Sequence, residues 1–237
     1  IKQTTMRRFF FLSSILANVL LAGSLWYLVQ HLGGFQYALS RLRHDESALY
    51  RSRSSLFRQL PEQRGAVVML GDSQIAQCEW QELLDDSLPV LNRGITGDHV
   101  AGVLARMEDV LRNRPARLYL CVGVNDLLFG KTAETIAPVY REMVAKIRSG
   151  APDTRLTLMS VLPVNNTIKK IGIQNADIQA LNVQIQEIAK QYAIPYLDLY
   201  NQLTDAQGNL ISACTDDGLH LNGQGYLVWK KAMDKQL

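Results

Sequence analysis

The chain has 237 residues, 47% hydrophobic and 20% charged, with a formal net charge of +3, which suits one globular domain with a further segment attached. So small a charge, with no zinc-finger or basic-helix pattern, argues against a nucleic-acid partner. Three cysteines, Cys78, Cys121 and Cys214, stand far apart without metal-ligand spacing, so neither a disulfide scaffold nor a metal centre is expected, and no cofactor motif is present.

The first thirty residues form a separate object. "FFFLSSILANVLLAGSLWYLV", Phe9 to Val29, is a continuous apolar run, and at about 1.5 Å per helical residue it can cross a bilayer core of about 30 Å. Trp26 and Tyr27 stand at its end, where interfacial aromatics are favoured, and Lys2, Arg7 and Arg8 precede it. The expectation is a single-pass anchor over residues 1–30, in contact with the membrane through 9–29, in the cytoplasmic membrane of a bacterium. The amino terminus is then cytoplasmic and the rest of the chain periplasmic or extracellular. A cleaved signal peptide is the rival reading, but the run is long and no Ala-x-Ala site follows it.

Residues 31–64 are polar and arginine-rich, with Phe35, Leu39, Leu42, Leu49, Leu56 and Leu60 at three- to four-residue steps. That spacing predicts an amphipathic helical stalk whose last turns pack on the domain, a dimerising or partner-recruiting coiled coil being the less favoured use. Pro61 and Gly65 punctuate the passage into the globular part, 65–237.

From there apolar strand-like runs alternate with helical patterns. The runs are Val67–Leu70, Val90–Leu91, Leu118–Val122, Leu156–Leu162 and Ile194–Leu199. The helical patterns are Ala76–Leu84, His99–Leu111, Thr135–Ile147, Ile178–Tyr192 and Gln224–Met233. Such alternation predicts an α/β fold, a three-layer α/β/α sandwich on a five-stranded parallel sheet covered on both faces. Trp80, Tyr226 and Trp229 read as core. The long connection "PVNNTIKKIGIQNA", Pro163 to Ala176, is a candidate rim of a site, with Asn165 and Asn166 as candidate substrate contacts.

"VVMLGDSQIAQ" leaves the first strand on Gly-Asp-Ser. Ser73 there is either a helix N-cap or a nucleophile at the carboxyl edge of the sheet, with Asp72 a hydrogen-bonding member of the turn. A nucleophilic serine needs a base. Of four histidines, His31 and His44 fall in the stalk segment, and His99 begins a helix after "GITGD". His220 stands three residues after Asp217 in "TDDGLHLNGQGY", a spacing that lets the carboxylate hold the imidazole. Asp-x-x-His also serves as a helix-start device or half of a metal site, and no further His or Cys has matching spacing. Asp98, adjacent to His99, is expected to point away from it. "LNRGITGD" and "LYLCVGVND" bring Gly94, Gly97, Asn125 and Asp126 to the ends of the next two strands, as turn-formers and caps or as lining of the crevice.

Taken in order, "GDS", "NRGITGD", "GVND" and "DGLHLN" resemble the blocks of the SGNH (GDSL-like) hydrolase family over Gly65–Leu237. "NRGITGD", "SVLPV", "LDLY" and "DGLHLNGQGY" are similar to its sialate O-acetylesterase-like and platelet-activating-factor-acetylhydrolase-like branches. The resemblance implies a flavodoxin-like fold and a serine esterase without a cofactor. Ser73 is implied as nucleophile, His220 as base and Asp217 as its partner. The Ser73 and Gly97 N–H groups and the Asn125 amide are implied as the oxyanion hole. Gln74 stands where many members carry Leu, Ile or Thr, and His99 replaces a commoner Thr, which suggests a role in substrate binding. With no inserted lid, the implied substrate is a small ester or O-acetylated sugar. A lysophospholipase or thioesterase, or a non-hydrolytic subunit of a membrane complex, is the alternative.

Overall fold

The computed structural model describes residues 2–31 and 48–235. They form two units, divided at Ala48 and Leu49. The first is helix α1, Lys2–His31, whose segment Phe10–Leu28 is 19 residues of apolar helix, long enough to cross a bilayer. Residues 32–47 of the expected stalk, with Phe35, Leu39, Leu42 and His44, lie outside the described residues.

The second unit opens at the second residue of α2, Ala48–Gln59, which packs on the domain through Tyr50, Ser54 and Phe57. This corrects the expected seam, since Leu49 and Leu56 remain 48% and 45% exposed. Five strands follow: β1 Val67–Gly71, β2 Val90–Gly94, β3 Arg117–Cys121, β4 Arg155–Met159 and β5 Tyr196–Leu197. They lie in the order β2-β1-β3-β4-β5, every neighbouring pair parallel. Alternate residues enter two cores. Val68, Leu70, Leu118, Leu120, Leu156 and Leu158 face one. Val67, Met69, Tyr119, Cys121 and Met159 face the other. Burial on both faces is why these strands read as unbroken apolar runs.

The covering helices are α3 Ser73–Ala76, α4 Trp80–Leu84, α5 Val100–Ala105, α6 Met107–Leu111 and α7 Val124–Leu128. The chain continues with α8 Ala133–Gly150, α9 Asn175–Gln191, α10 Leu199–Gln202 and α11 Gly223–Asp234. Trp80, Tyr226 and Trp229 form an aromatic cluster in the second core, Trp80 edge-on to the other two, which stack on each other. The three cysteines are free and buried.

Several expected elements are shorter or broken, each for a tertiary reason. The run to Leu162 stops pairing at Met159, because the Val161 N–H donates to the Asn182 side chain, which donates back to the Val161 carbonyl. The helix expected from Ala76 is two, since Asn92 Nδ2 takes the Ile75, Ala76 and Cys78 carbonyls that a continuous helix would use. The helix expected from His99 divides at Arg106, whose side chain turns inward to the end of β1. Between β2 and β3 the chain returns across β1, so the carboxyl ends of β1 and β3 flank a topological switch point, where open α/β sheets hold their ligands.

Candidate active site

Gly71 ends β1, and a Cβ there would lie 1.9 Å from the Cys121 carbonyl, so only glycine lets β1 and β3 converge. Asp72 follows as N-cap of α3, accepting the Gln74 N–H at 3.0 Å, and it is 1% exposed. Burial pushes its carboxyl up to about 7, with the Asp98 and Asp126 charges adding to the shift. Ser73 is therefore the first helical residue, at the sheet edge.

Its Oγ lies 3.0 Å from His220 Nε2, and His220 Nδ1 lies 2.8 Å from Asp217 Oδ2. Asp217 Oδ1 accepts the backbone N–H groups of Leu219 and His220. Partial burial raises the Asp217 pKa, but the hydrogen bonds from the His220 ring and from these amides outweigh it and hold the carboxyl at about 2. An ionised carboxylate only accepts, so Nδ1 carries a hydrogen, and in the neutral ring Nε2 is left to accept from the Ser73 hydroxyl. A hydroxyl so placed can pass its proton to the ring as the oxygen attacks.

The loop bearing this pair is fastened from three sides. Gly218, at φ +80, accepts the Asn165 N–H at 2.7 Å, and a Cβ on it would meet the Asn165 carbonyl oxygen at 2.5 Å. Its own N–H donates to Thr215 Oγ1. Gln74 Nε2 donates to the Leu219 carbonyl at 2.7 Å, tying the turn after Ser73 to the residue before His220. Gln74 thus has a use its sequence position did not disclose.

Across the crevice, the Ile95 N–H donates to the Gly71 carbonyl, so the loop after β2 is laid against the end of β1. Gly97 in that loop is exposed at φ +81, and a Cβ there would meet nothing within 4 Å. Asn125, at the start of α7, donates one amide hydrogen to the Asp98 carbonyl at 2.8 Å, leaving the other for a ligand. Asp98 is buried against Arg106 Nε at 2.9 Å, and Arg106 Nη2 donates to the Gly71 carbonyl. Asp126 accepts the Val100 N–H and pairs with Lys131.

Among the described residues His99 is not hydrogen-bonded to Ser73 or His220. Its Nδ1 accepts the Gly102 N–H at 3.1 Å as cap of α5, and the side chain is 32% exposed. Asp98 does not point away from it, as adjacency suggested, for Oδ1 is 3.7 Å from Nδ1. That carboxylate draws the His99 pKa upward, aided by Asp126. The candidate contacts in the long loop need correction. Asn165 is 1% exposed, its Nδ2 donating to the Leu210 carbonyl and its Oδ1 accepting from Thr167, so it is a brace inside the fold. Asn166 closes its own loop, bonded to Ile171 and Ile173. Among the described residues no three His, Cys, Asp or Glu side chains gather as a metal site.

Residues 64–228, most of the chain, match the family described as GDSL-like Lipase/Acylhydrolase. The protein belongs to this GDSL-like family. The matched segment has the SGNH fold, and its family is one of lipases and acylhydrolases. Among GDSL-like relatives and others, it is 26% identical over 194 residues to an N-acylneuraminate cytidylyltransferase of Streptococcus agalactiae serotype V, covering 82% of this chain and 42% of that one. The chain thus spans less than half of that relative. It is 29% identical over 177 residues to the human platelet-activating factor acetylhydrolase IB subunit alpha1, covering 72% of this chain and 74% of the other. A solved structure from Streptococcus pneumonia, provisionally described as a platelet activating factor, superposes with TM-score 0.76 at 24% identity, over 85% of this chain and 98% of that one. This last likeness concerns the fold.

Proposed function

We propose that the protein is a serine esterase that removes small acyl groups, acetyl foremost, from O-acylated carbohydrate or a comparable small ester. The observation that carries this reading is the continuous contact from Ser73 Oγ to His220 to Asp217. Ser73 Oγ attacks the ester carbonyl while its proton passes to His220 Nε2. The carbonyl oxygen becomes an oxyanion that accepts from the Ser73 N–H, the Gly97 N–H and the second Asn125 amide hydrogen. As the intermediate collapses, the C–O bond to the alcohol breaks and the His220 proton leaves with that oxygen. Water, deprotonated by the same nitrogen, then releases the acid and restores Ser73. Each oxyanion donor is expected to contribute about 10²–10³ in rate. The Asn amide and glycine N–H supply fixed dipoles without a charge whose solvation would have to be overcome.

The names of two relatives support the substrate class, one an acetylhydrolase and one an enzyme of an N-acylated sugar. The anchor is part of the reading: α1 holds the enzyme in a bacterial cytoplasmic membrane, with the catalytic unit outside. The apolar helix also gives a reason to weigh a lysophospholipase or thioesterase that draws its substrate from the bilayer. A panel of p-nitrophenyl esters of increasing acyl length, beside acetylated sugars, separates the two. The proposal expects a maximum at acetyl and a steep fall beyond about four carbons. A groove accepting a long chain would instead add about 0.8 kcal/mol per buried methylene, and a maximum at eight carbons or more would replace this reading with the lipid one.

A further inference from the structure

Helix α2 ends before the family-matched segment begins at residue 64, yet it packs directly behind the loops that carry the proposed oxyanion donors. Phe57, 3% exposed, forms a small core with Tyr50 and Ile95, and Ile95 is two residues from Gly97. Its ring has the Arg93 guanidinium 4.8 Å from its centroid, Arg53 at 4.8 Å and Arg106 at 5.9 Å. The carbonyls of Phe57 and Leu60 each accept from Arg112 Nη2 at 2.7 Å. Four guanidinium groups therefore converge on one side chain and the helix end that bears it. Arg93 is 6% exposed, and burial lowers its pKa to about 10, with Arg112, Arg106 and Arg53 adding repulsion. Like charges so close stay together only where something of opposite polarity lies between them. Part of that is the Asp98 carboxylate and the Gly71 carbonyl on Arg106, and part is the face of one aromatic ring and two backbone carbonyls supplied from α2 and its end.

Arg106 is the member that matters to the site. It holds the Asp98 carboxylate by Nε and the Gly71 carbonyl by Nη2. Gly71 precedes the Asp72–Ser73 turn. Asp98 follows Gly97, and its carbonyl accepts the Asn125 amide. One guanidinium thus fixes the backbone beside all three proposed donors. A second tie runs from the Tyr50 hydroxyl, which donates to the Gly102 carbonyl at 2.8 Å in the first turns of α5. We propose that α2 is a positioning element of the oxyanion hole: Phe57, by seating Arg106 between Asp98 and Gly71, and Tyr50, by bracing α5, set the geometry of the Ser73, Gly97 and Asn125 donors. Neither residue touches substrate. The proposal rests on the serine-esterase reading above.

The test is p-nitrophenyl acetate hydrolysis by the full chain in detergent, at a temperature well below the melting midpoint of every variant. Rates are normalised to the fraction of Ser73 that a fluorophosphonate labels. Phe57→Leu removes the ring and keeps an apolar side chain. It should lower kcat per labelled site about tenfold with KM within about twofold, since an ångström-scale misplacement costs up to about 10². Phe57→Tyr, which keeps the ring, should restore most of the loss. A merely structural Phe57 would lower the labelled fraction and the melting midpoint while each labelled site turned over at the wild-type rate, and that result overturns the proposal. If Phe57→Leu fails to fold, Tyr50→Phe decides: a drop in kcat per site of about threefold supports the proposal and an unchanged kcat overturns it. Ser73→Ala is the control. Full turnover by that variant would bring down the esterase reading and this inference together, whereas inactive Ser73→Ala beside unimpaired Phe57→Leu would bring down this inference alone.

Discussion

The loop after β2 and the loop before α11 each present a histidine close to an aspartate, at the same edge of the sheet, and they use the pair in opposite ways. In the first, Asp98 is buried and answered by Arg106, and His99 Nδ1 accepts a backbone N–H. In the second, Asp217 is 45% exposed, no Lys or Arg among the described residues pairs with it, and His220 Nδ1 is turned toward that carboxylate. The difference teaches that what occupies Nδ1 decides the ring's role. A nitrogen that accepts a helix amide helps to cap, whereas one that donates to a carboxylate leaves Nε2 ready to take a proton. Both loops contain a His and an Asp at short spacing, and only the partners tell them apart.

The comparison breaks most visibly at His220. His220→Ala should lower kcat by at least about 10³, the scale of a lost general base, measured on p-nitrophenyl acetate. Asp217→Asn should cost about 10³ as well, somewhat below the loss of about 10⁴ known for a buried triad aspartate, because water can partly replace a half-exposed carboxylate. If instead His99→Ala were the inactive variant, the roles of the two loops would be reversed. The expected effect of His99→Ala is a change in KM or in acyl preference of about tenfold, with kcat within a few fold. Titrating substrate against that variant checks it.

How much of this was legible beforehand differs between regions for the same reason that the two histidines differ. The strand–helix alternation was readable because most strand residues are buried on both faces of the sheet, and the order of the glycine and asparagine turns was readable because strand ends converge. The breaks were not, because each is made by a side chain distant in sequence: Asn182 on Val161, Asn92 on the end of α3, Arg106 on Gly71. In α2, Leu49 and Leu56 repeat at seven residues, and so do Tyr50 and Phe57, so periodicity identified a helix without choosing the row that packs. Asn165 and Asn166 looked like rim residues because a polar pair in a long loop has the same signature whether it meets a ligand or the loop's own backbone. Gln74 reads as a variable position until its amide is seen on the Leu219 carbonyl.

A smaller effect sharpens the contrast between buried and exposed carboxylates. The Asp72 pKa is raised from 3.8 to about 7 in the folded protein. Between about pH 4 and 7 the unfolded chain releases this proton while the folded chain retains it, so folding becomes less favourable as pH rises through that window and levels off above it. Asp217 has the opposite sign. Held at about 2 against 3.8, it contributes stability that is present above about pH 4 and lost as pH falls toward 2. Asp72→Asn keeps the acceptor that caps α3 and removes the titration. Its melting midpoint relative to wild type should therefore rise between pH 5 and pH 8 by several degrees, read by thermal unfolding at both values. A constant difference would mean that Asp72 is ionised throughout.

The central claim is that Ser73, activated through His220 and Asp217, is the nucleophile. The most direct measurement is to treat the full-length protein with a fluorophosphonate and locate the adduct by peptide mass spectrometry, in wild type and in His220→Ala. The account predicts one adduct per chain, on Ser73, formed at a rate that falls by about 10³ or more in the variant and in step with the loss of ester hydrolysis. An adduct on another residue, or labelling of Ser73 that proceeds equally fast without His220, would contradict it.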